Sequence, residues 1–308
     1  MRRALTAVST VLMLSACAAS AGNAPGTTDP AATPDKGSVA AGSITLDGVE
    51  RSWLTYSPGG PPGPAPVLLV LHGSGDSGAG LRSAVGPDIE QVADQHGFTV
   101  VYVDGYRNNW NECRVEGRWP AKADGMDDVA LMHEVVASLG TSGPVYAVGF
   151  SSGGHMAMRL ALEASDLVDG VAAVAANPPV AANQSCDVDG GPVPIMFVEG
   201  RDDPINPVHG GEVRVASGPS AGSRGEVMSA TDGARWYARH NDVAPGRGPV
   251  VERSGGVEST EWSGPDPVRL VVLDGTGHTF PTASGGWGPS RGPHYDAPGE
   301  IWHFFAGS

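Results

Sequence analysis

The sequence predicts a single α/β domain, with a mostly parallel central sheet and helices on both of its faces. Short apolar segments rich in β-branched residues recur along the chain, and helical segments separate them. The apolar segments are continuous rather than alternating, as expected for parallel strands that are buried on both faces. This βαβ rhythm favours one doubly wound domain over residues 43–308.

The predicted strands are the apolar segments, which cover residues 67–71, 98–103, 145–149, 171–175, 193–198 and 268–273. An earlier segment, 43–57, alternates more and is expected to form an antiparallel edge. The predicted helices cover residues 87–95, 126–139, 153–165, 228–240 and 300–305. Ligands of such sheets bind at the carboxyl ends of the strands, so the residues that follow each strand are the candidate site.

The amino-terminal segment indicates export and lipid anchoring. Residues 1–16 read as a signal peptide, with two arginines before a short apolar run. Leu14-Ser15-Ala16-Cys17 resembles the bacterial lipobox, in which the cysteine is diacylated, so Cys17 is the expected lipidation site. The alternative is an ordinary signal peptide and a secreted product. Residues 17–42 carry almost no large apolar side chain and are expected to form a flexible linker.

Composition excludes some partners. The formal net charge of −15 argues against nucleic acid and against a basic membrane-binding surface, so the membrane contact is expected through the lipid only. Outside the cytoplasm an even pair of cysteines is usually oxidised, which predicts a Cys113–Cys186 disulfide; the alternative is two free thiols. No metal-ligand spacing is present, and we expect neither a metal nor an organic cofactor.

The candidate nucleophile is Ser151. The pattern G-x-S-x-G is weak in a chain with 45 glycines, and it occurs with Ser151, Ser220 and Ser290 at its centre. Only Ser151 follows a predicted strand and precedes a predicted helix, which is the setting of a nucleophile elbow. The other two follow a proline in loop segments and are expected to be loop serines. The alternative for Ser151 is a helix N-cap.

A base and an acid must accompany a nucleophilic serine. On the elbow fold they follow in the chain order acid, then histidine. His278 comes directly after the strand at 268–273, in a glycine-containing loop, and is the candidate base. Asp202 and Asp203 both follow the strand at 193–198. Asp203 is favoured, although an Asp-Pro pair is also a common turn starter.

The loop after the first long strand, His72-Gly73-Ser74-Gly75-Asp76-Ser77-Gly78, fits three patterns. A dinucleotide fingerprint is disfavoured by Asp76, and a trypsin-type serine is disfavoured by the βαβ rhythm. An oxyanion loop fits best. The backbone N–H of Gly73 or Ser74, together with that of Ser152, would hold the tetrahedral oxyanion, each worth on the order of 100- to 1000-fold in rate.

With these residues in hand, the chain resembles the secreted esterase family that includes polyhydroxybutyrate depolymerases and feruloyl esterases. The segments that carry the resemblance include GFSSGGHMAMRLA at 149–161, EGRDDPINP at 199–207 and GTGHTFP at 275–281. The resemblance implies an α/β-hydrolase fold with Ser151, Asp203 and His278 as a catalytic triad, which strengthens Asp203 over Asp202.

The resemblance also implies a rim position for Trp110 and Asn111, in the segment DGYRNNWNECR at 104–114. Trp110 would then stack on an aromatic or sugar part of the substrate; the alternative is a tryptophan packed under a loop. The predicted function is an extracytoplasmic, lipid-anchored serine esterase that acts on a small, oligomeric or polysaccharide ester through an acyl-enzyme. The alternatives are a serine peptidase on the same fold and a non-catalytic binding lipoprotein.

Overall fold

The computed structural model describes residues 37–59, 64–215, 221–243, 248–288 and 290–307. The predicted signal peptide, Cys17 and most of the predicted linker lie outside the described residues. The strands are β1 (Ser38–Leu46), β2 (Val49–Ser57), β3 (Val67–Leu71), β4 (Thr99–Val103), β5 (Val145–Phe150), β6 (Gly170–Val174), β7 (Ile195–Gly200), β8 (Gly211–Val215), β9 (Gly222–Val227), β10 (Val250–Ser254), β11 (Val257–Trp262) and β12 (Val268–Leu273).

The helices are α1 (Gly78–His96), α2 (Pro120–Ala123), α3 (Asp128–Leu139), α4 (Ser152–Glu163), α5 (Ala230–His240) and α6 (Ala297–Ala306). Two buried apolar clusters cover the two faces of the sheet. One cluster includes residues of α3, α4 and α5, and the other includes residues of α1 and α6. Among the described residues, no helix is long and apolar enough to cross a bilayer.

The main sheet has ten strands in the order β1-β2-β4-β3-β5-β6-β7-β12-β11-β10. The six central strands, β4 to β12 in that order, pair in parallel. An antiparallel hairpin closes each edge, with β1–β2 on one side and β11–β10 on the other. The strands β3, β5, β7 and β12 therefore deliver their following loops to one edge of the sheet, which is where the candidate site residues lie.

The structure corrects two expected element boundaries. Residues 38–42, assigned to the linker, belong to β1, because backbone pairing with β2 orders them without large side chains; Gly42 lies against the ring of Trp53. Helix α1 begins at Gly78, not near residue 87. The side chain of Ser77 caps its first turn, and burial of an apolar stripe that includes Leu81 offsets the cost of Pro87 inside the helix.

The hairpins β8–β9 and β10–β11 were not predicted. Strand β10 is exposed along its whole length, and β9 contains two glycines, so neither carries the apolar run that identified the central strands. These hairpins are ordered by backbone pairing to a neighbouring strand and by isolated buried side chains, such as Val227 in β9 and Trp262 in β11.

A buried ion pair ties the edge hairpin to the loops above the sheet. Arg51 Nη2 lies 2.6 Å from Asp128 Oδ1, and both side chains are almost fully buried. The second carboxylate oxygen of Asp128 accepts a hydrogen bond from the backbone N–H of Asn111, at 2.7 Å. Burial raises the pKa of Asp128, and the charge of Arg51 opposes that shift. The pair therefore holds β2, α3 and the 104–114 segment together.

We expect Arg51→Met to lower the free energy of unfolding by about 3–5 kcal/mol, because it leaves Asp128 buried without its counter-charge. Urea titration followed by circular dichroism measures the loss. Arg253→Met is the matched control, because Arg253 forms an exposed ion pair with Glu258. Such pairs are worth at most about 1 kcal/mol. Equal losses for the two variants would contradict this account.

Candidate active site

The turn between β5 and α4 holds Ser151 in a strained conformation, with φ 54° and ψ −117°. Two glycines permit it. A Cβ atom on Gly149 would lie 1.9 Å from the carbonyl oxygen of Gly153, and one on Gly153 would lie 2.1 Å from that of Leu71. Any other residue would push α4 away from the sheet. The G-x-S-x-G pattern at this position is thus a packing requirement, and it places the Ser151 hydroxyl at the helix N-terminus.

Ser151, His278 and Asp203 form a chain of hydrogen bonds. His278 Nε2 lies 3.0 Å from Ser151 Oγ, and His278 Nδ1 lies 2.7 Å from Asp203 Oδ2. The carboxylate fixes the proton of the imidazole on Nδ1, which leaves Nε2 as an acceptor facing the hydroxyl. The structure therefore brings together the three residues that the sequence singled out from three different strand ends.

The loop after β7 fixes the carboxylate. Asp203 Oδ1 accepts hydrogen bonds from the backbone N–H groups of Ile205 and Asn206, at 2.8 and 2.9 Å, so that Oδ2 faces the histidine. Asp202, the alternative acid, is exposed, and its backbone N–H donates to the carbonyl of Thr276. The geometry therefore identifies Asp203, rather than Asp202, as the hydrogen-bond partner of His278, a choice that the sequence left open.

A second carboxyl group, Glu199, lies buried below Asp203. Its Oε1 accepts a hydrogen bond from the backbone N–H of Ala176 at 3.0 Å, and its Oε2 accepts one from Asn206 Nδ2 at 2.9 Å. Burial, together with the negative charge of Asp203, raises the pKa of Glu199 well above its usual value. Sequence reasoning missed this residue. The one signal was an acidic residue at the end of an otherwise apolar strand.

The predicted oxyanion loop lies against the elbow. A Cβ atom on Gly73 would be 3.5 Å from Ser151 Cβ, which places this backbone beside the candidate nucleophile. His72 is fully buried: its Nε2 accepts the N–H of Gly105 at 2.9 Å, so its Nδ1–H donates to the carbonyl of Gly73 at 2.7 Å. Because a peptide's C=O and N–H point in opposite directions, this bond turns the N–H of Ser74 away from His72.

Neither Ser74 N–H nor Ser152 N–H donates a hydrogen bond within the described part of the chain. Ser152 is the first residue of α4, where backbone N–H groups have no partner inside the helix and the helix dipole favours negative charge. The amides of Ser74 and Ser152, two of the three that the sequence proposed for the oxyanion, are thus free to bind one. Burial also lowers the pKa of His72, so this imidazole stays neutral and holds the loop in place through its two hydrogen bonds.

The structure corrects the expectation for Trp110. Its side chain has no exposed surface, so it cannot stack on a substrate in this conformation. Instead its indole N–H donates to the carbonyl of His72 at 2.8 Å, and its ring lies 4.9 Å from the His72 ring. Asn111 is half-buried, and its side chain donates to the carbonyl of Met126. Trp110 therefore supports the predicted oxyanion loop, and Asn111 holds its own segment against the residues before α3.

The exposed aromatic side chain near the site is Trp287, which is 39% exposed. It lies edge-on to Phe150 at 5.0 Å, and Phe150 in turn lies 5.0 Å from the ring of His278.

Cys113 and Cys186 are joined by a disulfide that ties two loops together. Ser290 lies in a loop, and Ser220 is outside the described residues. The described residues contain no His, Cys, Asp and Glu cluster suited to a metal ion.

The elbow and the mixed sheet define an α/β-hydrolase. No family model matches the sequence. A protein from Nocardia uniformis subsp. tsuyamanensis, named "Putative esterase NocK", is 30% identical over 274 residues, which are 80% of this chain and 75% of the Nocardia protein. The chain belongs to this esterase family, and its enzyme class is that of the carboxylic ester hydrolases.

Solved structures share the fold. Acetyl xylan esterase from Aspergillus awamori is 13% identical and superposes with a TM-score of 0.58, over 87% of this chain and 100% of that one. Native pOPH is 17% identical, with a TM-score of 0.51 over 82% of this chain and 84% of its own. These similarities confirm the predicted α/β-hydrolase fold.

The environment of Glu199 predicts a pH-dependent stability. Its folded pKa is raised above the unfolded value of about 4.3, so above that pH the native state keeps a proton that the unfolded chain releases. Unfolding therefore becomes easier as pH rises, by up to about 1.4 kcal/mol per pH unit. Glu199→Gln carries no such proton, and we expect it to gain stability relative to the wild type between pH 4 and pH 8.

Denaturant titrations of both proteins at several pH values measure this difference. Glu134→Gln, at an exposed helix position, is the matched control for loss of one carboxyl group. A stability difference between wild type and Glu199→Gln that stays constant from pH 4 to pH 8 would rule out a raised pKa at Glu199.

Proposed function

We propose that the chain is a serine carboxylic ester hydrolase that acts through Ser151, His278 and Asp203 and through an acyl-enzyme. The observation that carries the proposal is the continuous hydrogen-bond chain from the Ser151 hydroxyl through His278 to the Asp203 carboxylate. The packing of the fold does not by itself require three residues that are distant in sequence to form this hydrogen-bond chain at a strained turn. A helix N-cap is disfavoured as the role of Ser151, because its side chain makes no capping hydrogen bond.

In the proposed first step His278 Nε2 takes the proton of Ser151 Oγ as this oxygen attacks the ester carbonyl. The carbonyl oxygen becomes an oxyanion beside the N–H groups of Ser152 and Ser74. Asp203 stabilises the imidazolium. The imidazolium then gives its proton to the leaving alcohol, and the acyl group stays on Ser151.

In the second step His278 activates a water molecule, which attacks the acyl-enzyme, and the imidazolium returns the proton to Ser151 Oγ as the acid leaves. In this proposal Ser151, His278 and Asp203 carry out both steps without a cofactor. Trp287, rather than Trp110, offers an exposed aromatic face for the substrate. The motif resemblance supports an ester of the polyhydroxybutyrate or feruloyl type as that substrate.

We expect Ser151→Ala and Asp203→Asn each to lower kcat on p-nitrophenyl butyrate by about 10⁴-fold. Asp202→Asn and Ser290→Ala are matched controls, because the first changes the exposed neighbour of Asp203 and the second the serine of a competing motif. Both should retain near-wild-type kcat. Faster turnover of a peptide anilide than of the ester would favour the peptidase, and wild-type inactivity on both would favour the binding lipoprotein.

We further propose that the mature protein is extracytoplasmic and held at the cell membrane through lipid on Cys17. The lipobox-like Leu14-Ser15-Ala16-Cys17 supports this location, and so does the disulfide between the other two cysteines. Cys17→Ala should move the protein from the membrane fraction to the soluble fraction of fractionated cells, because several acyl chains are needed for stable anchoring. Equal membrane retention of both forms would contradict lipidation at Cys17.

A further inference from the structure

Among the residues that the structure describes, Glu199 is a buried carboxyl group without a cationic partner. It lies near the end of β7, and no part of it is exposed. Both of its oxygens accept hydrogen bonds from nitrogen, and the charge that lies near it is that of Asp203, which is negative. Burial of such a group is costly, whereas an apolar side chain would complete the strand without that cost. The position therefore points to a task other than packing of the sheet.

Asn206 connects Glu199 to the acid of the proposed triad. Its backbone N–H donates to Asp203 Oδ1 at 2.9 Å, and its side-chain Nδ2 donates to Glu199 Oε2 at 2.9 Å. Its Oδ1 accepts the backbone N–H of Asn177 at 3.1 Å, and this bond decides which end of the amide faces Glu199. A single residue thus links the position of the Glu199 carboxyl group to that of the Asp203 carboxylate.

The turn after β6 supplies donors from the other side. Ala175 has a φ of 53°, which is a strained conformation for a residue with a side chain. The backbone N–H of Ala176, the next residue, donates to Glu199 Oε1 at 3.0 Å. The N–H of Asn177 donates to the side chain of Asn206. Strain of this kind persists where surrounding contacts over-determine the backbone, and here the contacts fix the loop after β7.

The hydrogen bonds around Glu199 accept a carboxyl group but not an amide. Both oxygens face N–H donors, and a carboxyl oxygen can accept from a donor whether or not the group carries a proton. A glutamine would turn its NH₂ group toward one of the two donors in either orientation. Turning Asn206 over gives no relief, because its own NH₂ would then face the N–H of Asn177. Loss of one acceptor at position 199 therefore displaces Asn206.

We propose that Glu199 is a positioning residue of the ester hydrolase, which fixes the orientation of Asp203 toward His278 through Asn206. The inference rests on the proposed function, because Asp203 and His278 act there on Ser151. With Asn206 in place, Asp203 Oδ1 is bound and Oδ2 lies 2.7 Å from His278 Nδ1. With Asn206 displaced, Oδ1 loses this donor and the carboxylate can rotate. The base is then misaligned, and proton transfer slows.

The test measures kcat and KM for p-nitrophenyl butyrate. Glu199→Gln and Asn206→Ala break the link from its two ends. Each should lower kcat by about 100-fold, which is the cost of misplacing a catalytic group by about 1 Å, with little change in KM.

A double variant, Glu199→Gln with Asn206→Asp, should restore activity. The amide at position 199 then donates to the carboxylate at position 206, which also accepts the N–H of Asn177, so that every donor again has an acceptor. Its kcat should exceed that of Glu199→Gln alone by at least about 10-fold. Glu134→Gln, at an exposed helix position, is the matched control and should keep the wild-type kcat.

A spectroscopic readout separates positioning from stability. The proton on His278 Nδ1, held between the ring and the Asp203 carboxylate, should give a downfield proton NMR resonance. We expect this resonance to be lost or shifted upfield in Glu199→Gln and to return in the double variant. A role of Glu199 in stability alone would leave the resonance of the folded protein unchanged.

A folded Glu199→Gln protein with the wild-type kcat or the wild-type resonance would overturn the assignment. A folded double variant no faster than Glu199→Gln would do the same. If circular dichroism shows that neither protein folds, Asn206→Ala decides: an unchanged kcat overturns the assignment, and a lowered kcat with a shifted resonance supports it. If the wild type hydrolyses no ester, or Ser151→Ala keeps the wild-type turnover, the proposed function fails instead, and the resonance alone reports on Asp203.

Discussion

The close contact between the β5–α4 turn and strand β3 is the constraint on which the rest of the site depends. Gly149 and Gly153 bring backbone against backbone, and Ser151 between them takes a conformation with positive φ that costs of order 1–3 kcal/mol. The buried sheet and the two apolar clusters hold this turn in place. As a result the Ser151 hydroxyl projects from the start of the helix. The first backbone amides of α4 lie beside it, and the loops that follow β7 and β12 lie close to it.

Behind this turn the site is built from buried polar groups that are almost all neutral or paired with backbone amides. His72 uses both ring nitrogens in hydrogen bonds that fix the predicted oxyanion loop, and the indole N–H of Trp110 donates to the backbone carbonyl of His72 in the same loop. Below the acid, Glu199 and Asn206 form a second layer that sets the orientation of Asp203. Such a framework fixes donors and acceptors before a substrate arrives, which is how an enzyme stabilises developing charge.

The sequence could predict the parts of the molecule that burial dictates. The central strands are continuous apolar runs, and their ends point to Ser151, Asp203 and His278. The missed parts depend on contacts that no local pattern encodes. The polar hairpins at β8–β9 and β10–β11 depend on pairing with neighbouring strands, and the cavity beside His155 forms only when four separate segments of the chain pack together. Trp110 looked like a rim residue because its partner, the carbonyl of His72, is distant in sequence.

The most direct test of the central claim is to treat the wild-type protein with a fluorophosphonate and locate the adduct by peptide mass spectrometry. A serine activated by His278 should carry the adduct at Ser151 alone, with no label on Ser152 or on the peptides that contain Ser220 and Ser290. Label at another serine, or none on the folded protein, would contradict the account.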